Sequence, residues 1–336
     1  MKEISVFFIP GLMILAAFLA TVMVYLAANF ATRFGMLDLP GERQSHTAPT
    51  PTGGGIGIII ALVLASLAAA QVLPVSSAWV FVVLPSLVLL SVVGWLDDRR
   101  PLSTPFRFFV QLVVSFVLLA YLKTTGRLTD WPLVLLGGTA CVWVMNFYNF
   151  MDGSHGMAGF QGVFAGLFLG VLFLLEDSLP LAVPALLLAA CCVGFLPLNF
   201  PVARIFMGDS GSVPLGFALS SLMVLGLTGD VLSLPLALLV LSVFLTDSTL
   251  TLLGRAIRGE QWYTAHKQHY YQRLIAQGWP HSRVLLLYQA VNLVLVVPVA
   301  ILVRMYPENA WPLTGMLYLL LISGWYLASP RLGMRK

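Results

Sequence analysis

The sequence predicts an all-α polytopic membrane protein, and three observations carry that prediction. Hydrophobic residues make up 59% of the chain and charged residues only 10%. Mean hydropathy is +0.92. Apolar runs long enough to cross a bilayer recur along nearly all of the 336 residues. A soluble chain of this length would need far more charge to cover itself, and a membrane barrel would show short alternating strands instead of continuous runs.

Taken in order, the runs give eleven candidate spans, at roughly 4–30, 54–73, 78–96, 106–122, 131–148, 157–175, 179–198, 213–229, 231–253, 284–303 and 311–328. The first is too long for the apolar region of a signal peptide and lacks a convincing small-residue cleavage site, so it reads as a span. There is no internal repeat or soluble domain, and residues 1–336 read as one integral-membrane domain. Only the 254–283 loop is long enough for a small helical cap. Cys141, Cys191 and Cys192 all lie inside apolar runs without metal-ligand spacing, which reads as core packing.

Orientation follows from the basic residues between spans. With the amino terminus outside, fourteen of the eighteen Lys and Arg residues fall on inside segments, leaving Lys2, Lys123, Arg127 and Arg304 outside. The carboxyl terminus is then cytoplasmic. Outside connections such as PVSS and EDSLP are chemically plain. The inside connections each carry a polar cluster: PGERQSHTAPTPTGGG, GWLDDRRPLSTP, NFYNFMDGSHGMAG, NFPVARIFMGDSGS and GRAIRGEQWYTAHKQHYYQRL. The clusters converge on one face, which the reading makes the active site.

The central cluster runs from Asn146 to Gly159 and holds Asn146, Asn149, Asp152 and His155 between two apolar runs. Polar groups at or near membrane depth need partners, water or a ligand. Asp97 and Asp98 end the third span, Asp209 precedes the eighth, and Asp247 lies near the inner end of the ninth. So many carboxylates at one face repel one another unless a cation or basic side chains intervene. With oxygen ligands and no usable cysteine, Mg2+ fits best, with Mn2+ as the substitute, held by one or two protein groups plus substrate oxygens and water.

The glycine-rich segments, Gly53 to Gly55, Asp152 to Gly156 and Gly208 to Ser212, stand where helices enter the membrane, so their free N–H groups are expected to face an anion. Glycines at such places also serve turns or close helix packing. Arg255, Arg258, Lys267 and Arg273 add positive charge, and His266 and His269 share a face if their loop is helical. An isolated H-x-x-H without HExxH, carboxylate spacing or cysteine is weak evidence for zinc. His46 is a further polar candidate on the same face.

The order of the motifs, PTGGGIGI, GWLDDRR, NFMDGSHGMAG, FMGDSGS and a late H-x-x-H loop, closely resembles the polyprenyl-phosphate N-acetylhexosamine-1-phosphate transferases (glycosyltransferase family 4) over about residues 40–275. The resemblance implies transfer of a sugar 1-phosphate from a UDP-linked amino sugar to undecaprenyl phosphate in the bacterial inner membrane, with release of UMP and Mg2+ assistance. It implies Asp209 as metal ligand and Asn149 as a contact to metal or diphosphate. Asp97 would deprotonate or orient the lipid phosphate, supported by Asp98, and Asp152 would lie in the nucleotide region. His266 and His269 would act near the diphosphate and sugar, with Asp247 and Arg255 before that loop. The partners implied are the donor, the polyprenyl acceptor and the bilayer, with no nucleic acid. A homodimer is a further expectation, because related membrane enzymes often dimerise.

Two departures stand out. His155 occupies the place where the family's DG-x-DG pattern usually has a second aspartate, and the histidine loop continues YYQ, as in the O-antigen-initiating subgroup that uses modified HexNAc donors. Both reactants are anionic, so charge screening and in-line positioning should dominate catalysis. Lipid phosphate is largely ionised at neutral pH, since phosphate's second pKa is near ~6. Direct attack on phosphorus with Asp97 orienting is therefore favoured over a phosphosugar-aspartate route. Phe106, Phe108 and Phe109 are available to a lipid groove or to lipid itself, and Phe206 or Phe147 to stack on uracil. The rival classes are an ion-coupled transporter, a two-motif prenyl-diphosphate enzyme and a catalytically silent family member. Transporters place their sites near the bilayer midplane between inverted repeats.

Overall fold

The computed structural model describes residues 2–38, 49–261 and 266–328, which form a helical bundle with one short antiparallel pairing, β1 Leu37–Asp38 with β2 Thr50–Pro51. The helices are α1 Lys2–Arg33, α2 Gly55–Ala69, α3 Leu84–Arg99, α4 Thr104–Thr124, α5 Trp131–Phe150, α6 Met157–Leu175 and α7 Leu179–Asn199. They continue as α8 Asp209–Leu227, α9 Leu234–Val240, α10 Ser242–Ile257, α11 Tyr270–Ala276, α12 His281–Val291, α13 Val297–Met305 and α14 Ala310–Ala328. Proline stands in the first turn of α4, α5, α7 and α9, where its fixed φ suits a helix start and its missing N–H costs nothing.

Among the described residues nine helices are long and apolar enough to cross a membrane, or ten if α9 and α10 count as one bent span. The eleven expected spans are therefore corrected in two places. The 54–73 run folds as the 15-residue α2, about 22 Å at the usual rise, shorter than the ~30 Å hydrocarbon core. The 231–253 run breaks after Val240, and its two halves meet at 75°. A break at membrane depth frees backbone carbonyls that need donors. Gln161 Nε2 of α6 donates to the Val240 carbonyl at 3.4 Å, and Asn292 Nδ2 donates to Gln161 Oε1 at 2.8 Å.

Helix α8 is the organising element, with 83% of its most apolar window buried. A Cβ built on Gly55 would strike the backbone of Gly211, one on Gly94 would strike that of Asp209, and one on Gly216 would lie 2.8 Å from Met145 Cα. Glycine thus lets α2, α3 and α5 approach α8 to backbone contact. That packing brings the ends of α3, α5 and α8 together. The Cys141, Cys191 and Cys192 side chains are buried and free, as expected for core residues.

Candidate active site

The carboxylates meet at the start of α8. Asp97 and Asp98 end α3, and consecutive residues of a helix point in different directions, so the pair divides its work. Asp98 turns to α8, its two oxygens accepting the amides of Asp209 at 3.0 Å and Ser210 at 3.3 Å. It satisfies amides that the helix leaves open and favours the positive end of the dipole. Asp98 therefore holds the start of α8, and Asp209 with it, in place. Asp97 turns to α4: its Oδ1 accepts the Leu102 amide at 2.6 Å, and its Oδ2 accepts Arg107 Nη1 at 2.7 Å. The same Nη1 reaches Asp209 Oδ2 at 3.1 Å.

From α5 come Asn146 and Asn149. Asn146 Nδ2 donates to Gln111 Oε1 of α4 at 2.7 Å. Asn149 Oδ1 lies 2.7 Å from the Ser212 hydroxyl, which is also 3.0 Å from the Gly208 carbonyl. A hydroxyl has one proton to give, and the shorter contact directs it to Asn149, which ties Asn149 to α8. Asp152, just beyond α5, has its carboxyl pushed well above the usual carboxylate range, first by burial and then by the nearby charges of Asp209 and Asp98.

The glycine segments do not supply the open anion cradle that the motifs led us to expect. Gly54 N donates to the Phe206 carbonyl at 2.9 Å and Gly55 N to that of Met207 at 2.9 Å, while Phe206 N returns a bond to Pro51 at 2.8 Å. Gly53 packs beside Trp95 and Ser210. Gly156 N donates to Asn199 Oδ1 at 2.7 Å. Buried amides need partners, and these find them inside the protein.

The described part of the histidine loop packs against the end of α5 on a scaffold of its own. Asp247, on α10, is saturated: Oδ1 accepts the Tyr270 amide at 2.8 Å and the Thr251 hydroxyl at 3.2 Å, and Oδ2 accepts the Tyr288 hydroxyl at 2.6 Å. Arg255 is buried and bonds Glu260 at 2.8 Å and the Gln261 carbonyl at 2.9 Å, and Arg258 grips the same Glu260 at 2.7 Å. Both Asp247 and Arg255 therefore anchor the loop, and Asp247 also lines a cavity of about 250 Å³ with Thr246, Tyr270 and Tyr288. His266 and His269 precede α11 and are not helical, but their ring centroids are 4.8 Å apart. His269 stacks 6.0 Å from Phe150, and Tyr271 donates to the Phe150 carbonyl at 2.9 Å. Burial lowers both histidines to about 4, helped for His266 by His269 and then Arg255, and for His269 by Arg255. They are neutral hydrogen-bonding groups at physiological pH. Lys267 is half-buried between them.

His155 stacks on His281 at 4.1 Å and 8°, with Phe206 at 6.1 Å. Phe206 is half-buried, whereas Phe147 is fully buried and out of reach of a nucleobase. His46 lies outside the described residues.

A cavity of about 900 Å³ lies between α3, α4, α5 and α8. Its walls include Leu90, Val93, Phe108, Val110, Val142 and Trp143, and its polar end is formed by Arg107, Asn146, Asn149 and Asp209. Phe106 and Phe109 are exposed on the outer surface. Arg107, Gln111, Ser212 and Tyr288 were missed by the sequence reading. Arg107, Gln111 and Ser115, four residues apart on an otherwise apolar helix, were the available signal.

The family model for glycosyl transferase family 4 matches residues 79–227. The chain is 32% identical to the decaprenyl-phosphate N-acetylglucosaminephosphotransferase of Mycolicibacterium smegmatis, over 82% of this chain and 78% of the relative. It is 26% identical to the undecaprenyl-phosphate alpha-N-acetylglucosaminyl 1-phosphate transferase of Yersinia pestis, over 76% and 74% of the two chains. With the phospho-N-acetylmuramoyl-pentapeptide-transferase of Moorella thermoacetica it shares 31% identity over 75% and 84%. Carboxylates clustered at the start of α8 beside a largely apolar cavity, in a chain this similar along most of its length, place it in the polyprenyl-phosphate N-acetylhexosamine-1-phosphate transferases of glycosyl transferase family 4.

Proposed function

We propose that the protein transfers an N-acetylhexosamine 1-phosphate, plain or modified, from a UDP-sugar to undecaprenyl phosphate at the cytoplasmic face of the inner membrane, releasing UMP. The product would start a lipid-linked cell-surface glycan such as O-antigen. The observation that carries this reading is the cavity, apolar along its walls and closed at one end by Arg107, Asn146, Asn149 and Asp209. An acceptor with an isoprenoid tail and a phosphate head needs both phases in one continuous space. The relatives' names support an N-acetylglucosamine type of donor. The YYQ loop and His155 support a modified sugar and the O-antigen role.

The donor set suits a hard divalent cation. Asp209 and Asn149 line the same polar end with oxygen atoms. Among the described residues no three acidic, histidine or cysteine side chains form a ready-made cage, which matches Mg2+ sites completed by substrate oxygens and water. Bound there, Mg2+ would neutralise phosphate charge and act as a Lewis acid on the donor's diphosphate. Asp97, fixed by Leu102 and Arg107, would orient the acceptor oxygen for direct in-line attack, and neutral His266 and His269 would hydrogen-bond the diphosphate.

The test is purified protein in detergent with undecaprenyl phosphate, Mg2+ and a panel of UDP-HexNAc donors, reading UMP and the sugar-diphospholipid. EDTA should abolish UMP release, and Asp209→Asn should lower kcat by about 10²- to 10³-fold, as for loss of one transition-state stabiliser. No turnover with any donor in folded protein would overturn the reading in favour of a silent family member.

A further inference from the structure

We propose that Arg107 is a resident counter-ion for the metal-binding carboxylates, one that gives up Asp209 when the divalent cation binds and carries its guanidinium to the acceptor phosphate in the adjoining groove. The inference rests on the proposed metal-dependent transfer and adds an order to it.

The geometry is that of a place-holder. One nitrogen, Arg107 Nη1, contacts Asp97 at 2.7 Å and Asp209 at 3.1 Å, so a single positive charge bridges two carboxylates from different helices. Asp98 is already committed to the α8 amides, and Asp152 adds a further carboxyl within electrostatic range. Without a cation the cluster would repel itself, and Arg107 supplies that cation from within. Its guanidinium is not fully engaged: the side chain is 34% exposed, and its buried Nε has no hydrogen-bond partner. Five donors spent on so few contacts leave the group free to re-pair.

A divalent ion on Asp209 cannot share that oxygen with a guanidinium at 3.1 Å, because the two cations repel and compete for the same lone pairs. The released side chain has a destination at hand, the cavity it already lines beside Thr104, Phe108 and Gln111. The lipid phosphate would arrive at that polar end, and a guanidinium matches phosphate oxygens in a bidentate fashion that an ammonium does not. Metal binding therefore prepares the acceptor site. By linkage, metal and acceptor raise each other's affinity.

The first half of the test needs no turnover. Mn2+ binding to the purified full chain in detergent is titrated by electron paramagnetic resonance without donor, for the wild type, Arg107→Gln and Arg107→Lys. KM for undecaprenyl phosphate and for the donor is measured separately. Arg107→Gln should bind Mn2+ about fivefold tighter or more, the low end of ordinary coupling between sites. It should also raise the acceptor KM at least ~10-fold with the donor KM unchanged, about 1.4 kcal/mol of lost acceptor binding. Arg107→Lys keeps the charge and should stay near the wild-type Mn2+ affinity, while losing part of the acceptor affinity. Arg107→Gln binding Mn2+ no tighter than wild type would overturn this proposal alone. A wild type that binds no Mn2+ would overturn the metal reading and this proposal together.

Discussion

At the scale of single residues, adjacent aspartates carry separate duties. Asp97 holds Arg107 and the Leu102 amide, and Asp98 caps α8. The motif GWLDDRR announced two carboxylates, but their division depends on where α8 begins relative to the last turn of α3, which no local pattern encodes. Ser212 shows the reverse case, a residue silent in the sequence that decides how Asn149 is held. Ser212→Ala removes the 2.7 Å contact. We expect kcat to fall roughly fivefold, in line with ~1 kcal/mol for one net hydrogen bond, while the donor KM changes little. An unchanged kcat in steady-state assays would show that Asn149 keeps its place without Ser212.

Among the helices, the decisive arrangement is the tether between the broken span and the histidine loop. Asp247 accepts hydrogen bonds from Tyr270 at the start of α11 and Tyr288 on α12, so one buried carboxylate ties α10 to both. Gly153 belongs to the same design, since a Cβ there would collide with the Tyr271 hydroxyl. Tyr288→Phe should cost about 1–3 kcal/mol, the penalty for leaving a buried acceptor underused. Hydrogen exchange should then quicken over residues 266–276 and stay unchanged in α6 to α8. Equal protection in both regions would mean that other contacts hold the loop. The YYQ sequence was legible as a departure from the family pattern. That its first tyrosine supplies a backbone donor to Asp247, and its second a hydroxyl to Phe150, required the fold.

For the whole molecule, the remaining question is which way the bundle sits. The basic residues argue for the amino terminus outside, which would put the site in the cytoplasm. Because Cys141, Cys191 and Cys192 are all buried, new cysteines can be read against a quiet background. An impermeant maleimide applied to intact spheroplasts should label Thr125→Cys, in the α4–α5 connection, and spare Gln277→Cys, after α11. The opposite pattern would invert the orientation and remove the cytoplasmic site with it.

Composition and the spacing of apolar runs determined that this chain is a helical membrane protein, because a bilayer leaves few ways to satisfy a backbone. The order of its polar motifs determined the family and most of the candidate residues, because chemistry on phosphates demands carboxylates, amides and cations at one face. Only the tertiary structure decided which of those residues meet. The glycine amides proved committed to neighbouring backbone, Asp247 and Arg255 proved to be anchors, and Arg107 emerged as the link between Asp97 and Asp209. Most of those outcomes depend on contacts between residues distant in the chain, as between Arg107 and Asp209, 102 positions apart, where helix crossing and burial set the partners and local sequence does not.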